Sequence, residues 1–198
     1  MRAFLYLFLL LPLWAASAQA QESRSLRLTL VHFEGGSWPV EEIVAAATQA
    51  SKILEQCAIV SGGLELKRVD VEPRYRVFHT PSSRELARSL NLGTPAIYFV
   101  DGTLQNPAFD AEAIGRGNSR SRPELRDTVW VVRGARDLDV VLAHELAHVL
   151  MDSGEHSEQP GNLMRDETAP QNTRLTDAQC VRLRERASAN GLLGPLAR

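Results

Sequence analysis

The densest chemistry in this sequence lies at His144-Glu145-Leu146-Ala147-His148. On a helix, side chains four apart share one face, one turn apart. Two imidazoles so placed can reach a single metal ion. The carboxylate of Glu145 then falls beside the remaining coordination position. This arrangement suits a zinc ion that activates water, with Glu145 as the general base. Three of the five histidines lie between 144 and 156, so the ligand-bearing residues are concentrated in one short stretch.

A catalytic zinc takes three protein ligands and keeps one position open. The third ligand expected here is His156, which follows Gly154, a residue free to turn the chain back toward the metal. Asp152 and Glu155 are neighbouring carboxylates that could replace it. Glu167 is the stronger rival, because it lies nineteen residues beyond His148, a separation found in zincins with a glutamate ligand. Those zincins carry it on a second helix. Here Pro160, Gly161 and Pro170 bracket Glu167 and argue against a helix.

The metal pair needs a helix, and the helix needs a layered core. Leu138, Val141, Leu142, Leu146, Val149 and Leu150 predict an apolar helix from residue 136 or 137 to Met151. Upstream, Leu26–Phe33 alternates as a strand and Gly35-Gly36 ends it. Ser37 is expected to cap a helix of about five turns through Ile43, Ala47, Ala50, Leu54 and Cys57. Gly62-Gly63 reads as a break before a strand at Leu64–Val71. A short extended piece at Arg74–Phe78 and a helix at Ser82–Leu92 follow. Ala96–Val100 and Thr128–Arg133 read as strands, and Phe109–Arg126 as mostly loop. Thr176 and Gln179 fit a capping box that opens a last helix, stopped by Gly191. The order is α+β: a mixed twisted sheet with a long early helix, an active-site helix and a C-terminal helix.

From Asp139 to Cys180 the sequence resembles the core of the metzincin clan of zinc metallopeptidases. The resemblance rests on His144, Glu145 and His148, on Gly154 and His156, and on Asn162-Leu163-Met164, which looks like a Met-turn. A Leu-Thr-x-x-Gln-Cys start to the final helix at Leu175 belongs to it as well. It implies a single-domain metzincin-like fold, one catalytic Zn2+ and a methionine, Met164, beneath the metal. The departures are specific. The familiar glycine position of H-E-x-x-H-x-x-G-x-x-H is Met151, and the third histidine position is Gly154. His156 comes two residues later, so Ser153-Gly154 is expected to make the turn. No tyrosine closely follows Met164, so no switch tyrosine is expected.

The start of the chain reads as a secretory leader. Arg2 precedes an apolar run from Phe4 to Trp14, and Ala18-Gln19-Ala20 offers a cleavage site. The expected organisation is a signal peptide at 1–20 and one catalytic domain at 21–198. The run is short for a membrane span, which needs about 20 apolar residues. No propeptide, and so no cysteine-based latency, is expected between the leader and the first strand. An oxidising compartment would pair Cys57 with Cys180. The simplicity of the chain suggests a bacterial protein, periplasmic or secreted. A net charge of −2 and 6% aromatic residues give no basis for nucleic-acid binding.

The function expected is hydrolysis of peptide bonds in a peptide or protein substrate. Two alternatives remain: a binding protein that uses the same fold without catalysis, and a zinc amidase acting on a non-protein, cell-wall substrate.

Overall fold

The computed structural model describes residues 22–104, 113–116 and 125–196, with 113–116 described by backbone alone. The leader at 1–20 and most of the expected 109–126 loop, including Arg120 and Arg122, lie outside the described residues.

The elements run β1 (Arg24–Phe33), α1 (Val40–Leu54), β2 (Ile59–Val69), β3 (Val77–Phe78), α2 (Thr80–Leu90), β4 (Ala96–Val100), β5 (Gly102–Thr103), β6 (Ala113–Arg116), β7 (Thr128–Val132), α3 (Leu138–Met151), α4 (Asp177–Ala189) and β8 (Leu193–Gly194). The main sheet has the order β2-β1-β4-β7-β6, with β8 also on β1. Strands β2, β1, β4 and β7 are parallel, whereas β6 runs antiparallel to β7 and β8 to β1. Strands β3 and β5 form a separate parallel pair. The architecture is the mixed sheet with helices that the sequence order implies.

Side-chain alternation sorts the core into two layers. Leu26, Leu28 and Leu30 of β1, with Ile97, Phe99, Val129 and Val131, pack under α1, α3 and α4. Val31, Phe33, Tyr98 and Trp130 point the other way and pack with Leu86 and Ala87 of α2. A parallel strand covered on both faces becomes apolar on both, which accounts for the rich run in β1. Helix α3 has every residue but Asp139 buried. A helix that is apolar all round must lie inside the fold. The small residues Ala46, Ala47 and Ala50 of α1 join the same cluster and leave room for it to approach.

Several local expectations change. Ser37 does not cap α1; its N–H and hydroxyl both bond to Asp101 Oδ1, at 2.8 and 2.7 Å, and Pro39 holds the cap position. The helix ends at Leu54, and Glu55–Cys57 tightens into a 3-10 turn, so it is shorter than five turns. Gly62-Gly63 is not a break but an irregularity inside β2, where pairing slips between Leu26 and Arg27 of β1. A Cβ at Gly62 would collide with Ser25 Oγ, and Gly63 has φ +120°, so the slip needs both glycines. The Arg74–Phe78 piece is a 3-10 turn at Pro73–Arg76 followed by the two residues of β3. Helix α2 starts and stops two residues early, and Asn91, with φ +42°, closes it before Gly93. Strand β6 forms within the expected loop, because the open edge of β7 supplies its hydrogen-bond partners.

Cys57 and Cys180 form a disulfide across 123 residues, tying the end of α1 to the start of α4. Gln56 reinforces the joint: Nε2 donates to Thr173 O and Oε1 accepts from Leu175 N, each at 2.8 Å. The capping box at Thr176 and Gln179 is present as expected. Opening a loop of this length should cost about 4–5 kcal/mol on the chain-entropy model. The urea midpoint should therefore drop sharply in Cys57→Ser/Cys180→Ser. An unchanged midpoint would show that the crosslink does not constrain the unfolded chain.

Candidate metal centre

Helix α3 presents His144 and His148 one turn apart, with Glu145 buried between them. At its C-terminus the chain reverses at Asp152, which takes the left-handed conformation with φ 49° and ψ 50°. This corrects the expected turn at Ser153-Gly154. Asp tolerates the left-handed region better than most side chains, so no glycine is required here. The reversal returns His156 to the helix.

Three ring nitrogens then converge. His148 Nε2 lies 2.9 Å from His144 Nε2 and 3.2 Å from His156 Nε2. Among the described residues, His144, His148 and His156 are a group able to hold a metal ion, with ligand atoms within 4.8 Å of one another. The other nitrogen of each ring is engaged. His144 Nδ1 donates to Leu163 O and His148 Nδ1 to Ser153 O, both at 2.7 Å. His156 Nδ1 lies 3.3 Å from Asp166 Oδ1. A carbonyl or carboxylate only accepts, so the proton sits on Nδ1 and the Nε2 atoms face one another as bare lone pairs. Three such lone pairs attract a cation and repel one another without it. Zinc–nitrogen bonds of about 2.0–2.1 Å set tetrahedral ligand nitrogens roughly 3.3 Å apart, and His148 Nε2 lies 2.9 and 3.2 Å from the other two. The donor set fits a zinc-like ion.

The surroundings keep the two helix rings, His144 and His148, neutral. Burial pushes the His148 imidazole down to about 4, aided by repulsion from His144 and His156 and opposed by its bond to Ser153. Burial likewise lowers His144. The carboxylates weighed as third ligands are not in this group. Glu155 pairs with Arg182 at 2.6 Å. Glu167 is exposed on the loop that follows, and its carbonyl accepts from Asn172 Nδ2. Asp152 is the residue of the reversal itself. Met164, in the 162–164 turn, is buried in the core cluster that includes the apolar residues of α3.

The supports for the rings carry little sequence signal. The carbonyls of Leu163 and Ser153 are backbone groups, invisible to side-chain patterns. Asp166 looks like any loop carboxylate. Gln179 reads only as a helix cap, yet its amide also pairs with Asn162. His32 and His79, which read as structural, stay out of the centre. His32 Nε2 bonds to Trp38 O at 3.0 Å, and His79 precedes α2.

No family model matches the sequence. The chain is 30% identical over 122 residues to a protein described as Protease HtpX homolog, from Syntrophobacter fumaroxidans. That match takes in 62% of this chain and 36% of the relative, so the chain spans about a third of the length of the curated relative it matches. The fold is similar to that of metalloproteinase-II from Bacteroides fragilis, with a TM-score of 0.56 over 84% of this chain and 54% of the other. The identity of 19% makes this a likeness of fold. Among the described residues, no helix is long and apolar enough to cross a membrane.

The depressed imidazoles fix the sign of an acid effect. His148 titrates near 4 when folded and near 6.5 when unfolded, so the unfolded chain binds more protons between those values. The metal-free protein should lose stability as pH falls through that window. In His148→Gln the slope of stability against pH should be shallower. Urea unfolding from pH 7 to pH 4 measures both; equal slopes would show that this ring is not held neutral by the fold.

Proposed function

We propose that the chain is an exported zinc-dependent metallopeptidase whose catalytic domain is residues 21–198, with the leader at 1–20 removed. The observation that carries this reading is the convergence of His144, His148 and His156 through Nε2, with Glu145 beside the pair on α3. The relative described as a protease and the likeness of fold to a metalloproteinase support it.

His144, His148 and His156 would hold one zinc ion. When bound, zinc supplies Lewis acidity that makes a water more acidic and polarises a substrate carbonyl. Glu145 takes the proton of the attacking water on a carboxylate oxygen and later delivers it to the leaving amine nitrogen. The bond formed is oxygen to carbonyl carbon; the bond broken is carbon to amide nitrogen. The ring-to-carbonyl bonds of His144 and His148 keep both imidazoles in one tautomer through this cycle. Met164, in the Met-turn position of the metzincin resemblance, would act as an apolar packing residue beneath the metal; it is buried in the main core cluster.

A purely structural zinc site has no use for a carboxylate next to an open position. Retention of Glu145 therefore favours catalysis over a non-catalytic binding role. The amide hydrolysed is taken to be that of a peptide or protein. A cell-wall amide is the competing substrate class.

The test combines zinc content with casein cleavage. Wild type should carry one zinc and cleave. Glu145→Ala should keep the zinc and lose roughly 10²–10⁴-fold in rate, the usual worth of a general base. His156→Ala should lose the metal. Full zinc affinity and activity in His156→Ala would move the third ligand to Glu167, whereas a zinc-loaded wild type that cleaves only cell-wall fragments would move the substrate. Absence of zinc binding by wild type would end the reading.

A further inference from the structure

The turn at 162–164 meets one of the three histidines, and the residue after another, through consecutive carbonyls. Leu163 O accepts from His144 Nδ1, and Met164 O accepts at 2.7 Å from the N–H of Ser157, the residue after His156. The position of this turn therefore sets both the rotation of one ring and the path of the loop that carries another.

What holds the turn is a reciprocal pair of side-chain amides. Asn162 Nδ2 donates to Gln179 Oε1 at 2.9 Å, and Gln179 Nε2 donates to Asn162 Oδ1 at 3.2 Å. Asn162 Oδ1 also accepts from Met164 N at 2.9 Å, which closes the turn on itself. Gln179 has a second task, because its Oε1 accepts from Thr176 N at 2.8 Å in the capping box of α4. Asn162 is buried, so a broken amide pair would leave polar atoms without water to replace the partner. The next residue, Cys180, is crosslinked to Cys57, so Gln179 projects from an anchored point.

We propose that Asn162 and Gln179 are positioning residues for the metal centre: their amide pair fixes the 162–164 turn, which aims His144 Nε2 and places the His156 loop. The proposal rests on the metal reading above. It separates two jobs of Gln179 that a capping motif alone would merge, the start of α4 and the aim of His144.

Gln179→Glu divides those jobs. A glutamate at this cap position still accepts from Thr176 N and Asn162 Nδ2. It cannot donate to Asn162 Oδ1, and it sets a carboxylate oxygen against that carbonyl. Thr176→Ala does the reverse, removing a cap acceptor while leaving the amide pair intact.

Three measurements on the full, disulfide-intact protein decide the matter. Zinc affinity by chelator competition should weaken about 10–100-fold in Gln179→Glu, the usual effect of losing support behind a ligand. Its melting temperature without metal should fall by a few degrees, because Asn162 Oδ1 loses a buried donor, so zinc loss is compared with Thr176→Ala at similar destabilisation. Thr176→Ala should melt about 2–4 °C lower yet bind zinc within twofold of wild type. In nitrogen-15 NMR of the metal-free protein, the His144 Nδ1 proton should be protected in wild type and exchange at least tenfold faster in Gln179→Glu. Should Gln179→Glu fail to fold, Asn162→Asp, which keeps the acceptor for Met164 N but loses the Nδ2 donor, should show the same weakening and faster exchange. Wild-type affinity and exchange in the amide variants would overturn the proposal, as would equal loss of zinc in Thr176→Ala. Should wild type bind no zinc, the metallopeptidase reading falls, and the exchange comparison still decides whether the amide pair aims His144.

Discussion

Three imidazoles converge through their Nε2 atoms, 2.9 and 3.2 Å apart, at the edge of the core, and burial keeps the two on the helix neutral. No hydrogen bond can relieve such a contact, because both protons of the buried pair are committed to backbone carbonyls at 2.7 Å. Protonating a ring would relieve it, but burial opposes the charge. The arrangement suits a cation, and the surrounding elements hold the two helix rings in place. Turning a ring would break a carbonyl bond. Moving α3 would open the main hydrophobic cluster.

The scaffold does this with ordinary materials. A parallel sheet covered on both faces allows α3 to be buried all round, which excludes water from two of the three rings. Small residues on α1 let the helix settle close. Burying such a helix draws on roughly 1.5–3 kcal/mol for each large apolar side chain removed from water. That reserve is enough to keep two histidines and a glutamate in an apolar layer. His156 differs, since it sits on a loop and remains about one-third exposed at its side chain. Its loop is therefore tethered at both ends, by the Asp152 reversal and by Ser157 on Met164 O.

The C-terminal helix contributes from outside the centre. Its first turn is capped, crosslinked to Cys57 and hydrogen-bonded to the 162–164 turn. Helix α4 thus holds the far wall of a site to which it supplies no ligand. Fold likeness at 19% identity says little about chemistry. The chemistry resides in the rings, the tautomers of the helix pair and the carboxylate beside them.

Much of this protein is legible in its residues alone. The spacing of His144 and His148 sets them on one face, because an α-helix has a fixed 3.6-residue turn. Strand alternation, the capping box and the pairing of two cysteines follow from similarly local rules. Local rules give way where a partner distant in sequence decides the outcome. Ser37 abandons its helix for Asp101, sixty-four residues away. Gly62-Gly63 is an irregularity only because β1 lies beside it. Strand β6 exists because β7 offers an open edge. The carbonyls that aim the first two rings are of this kind, whereas the third ring, His156, is expected from the sequence. Asp152 turns His156 into place through a conformation that composition does not announce, and Leu163 acts through a backbone atom every residue possesses. Local periodicity determined which side chains could meet; only tertiary packing decided where the carbonyls behind them stand, because hydrogen bonds across 19 residues are set by how elements dock.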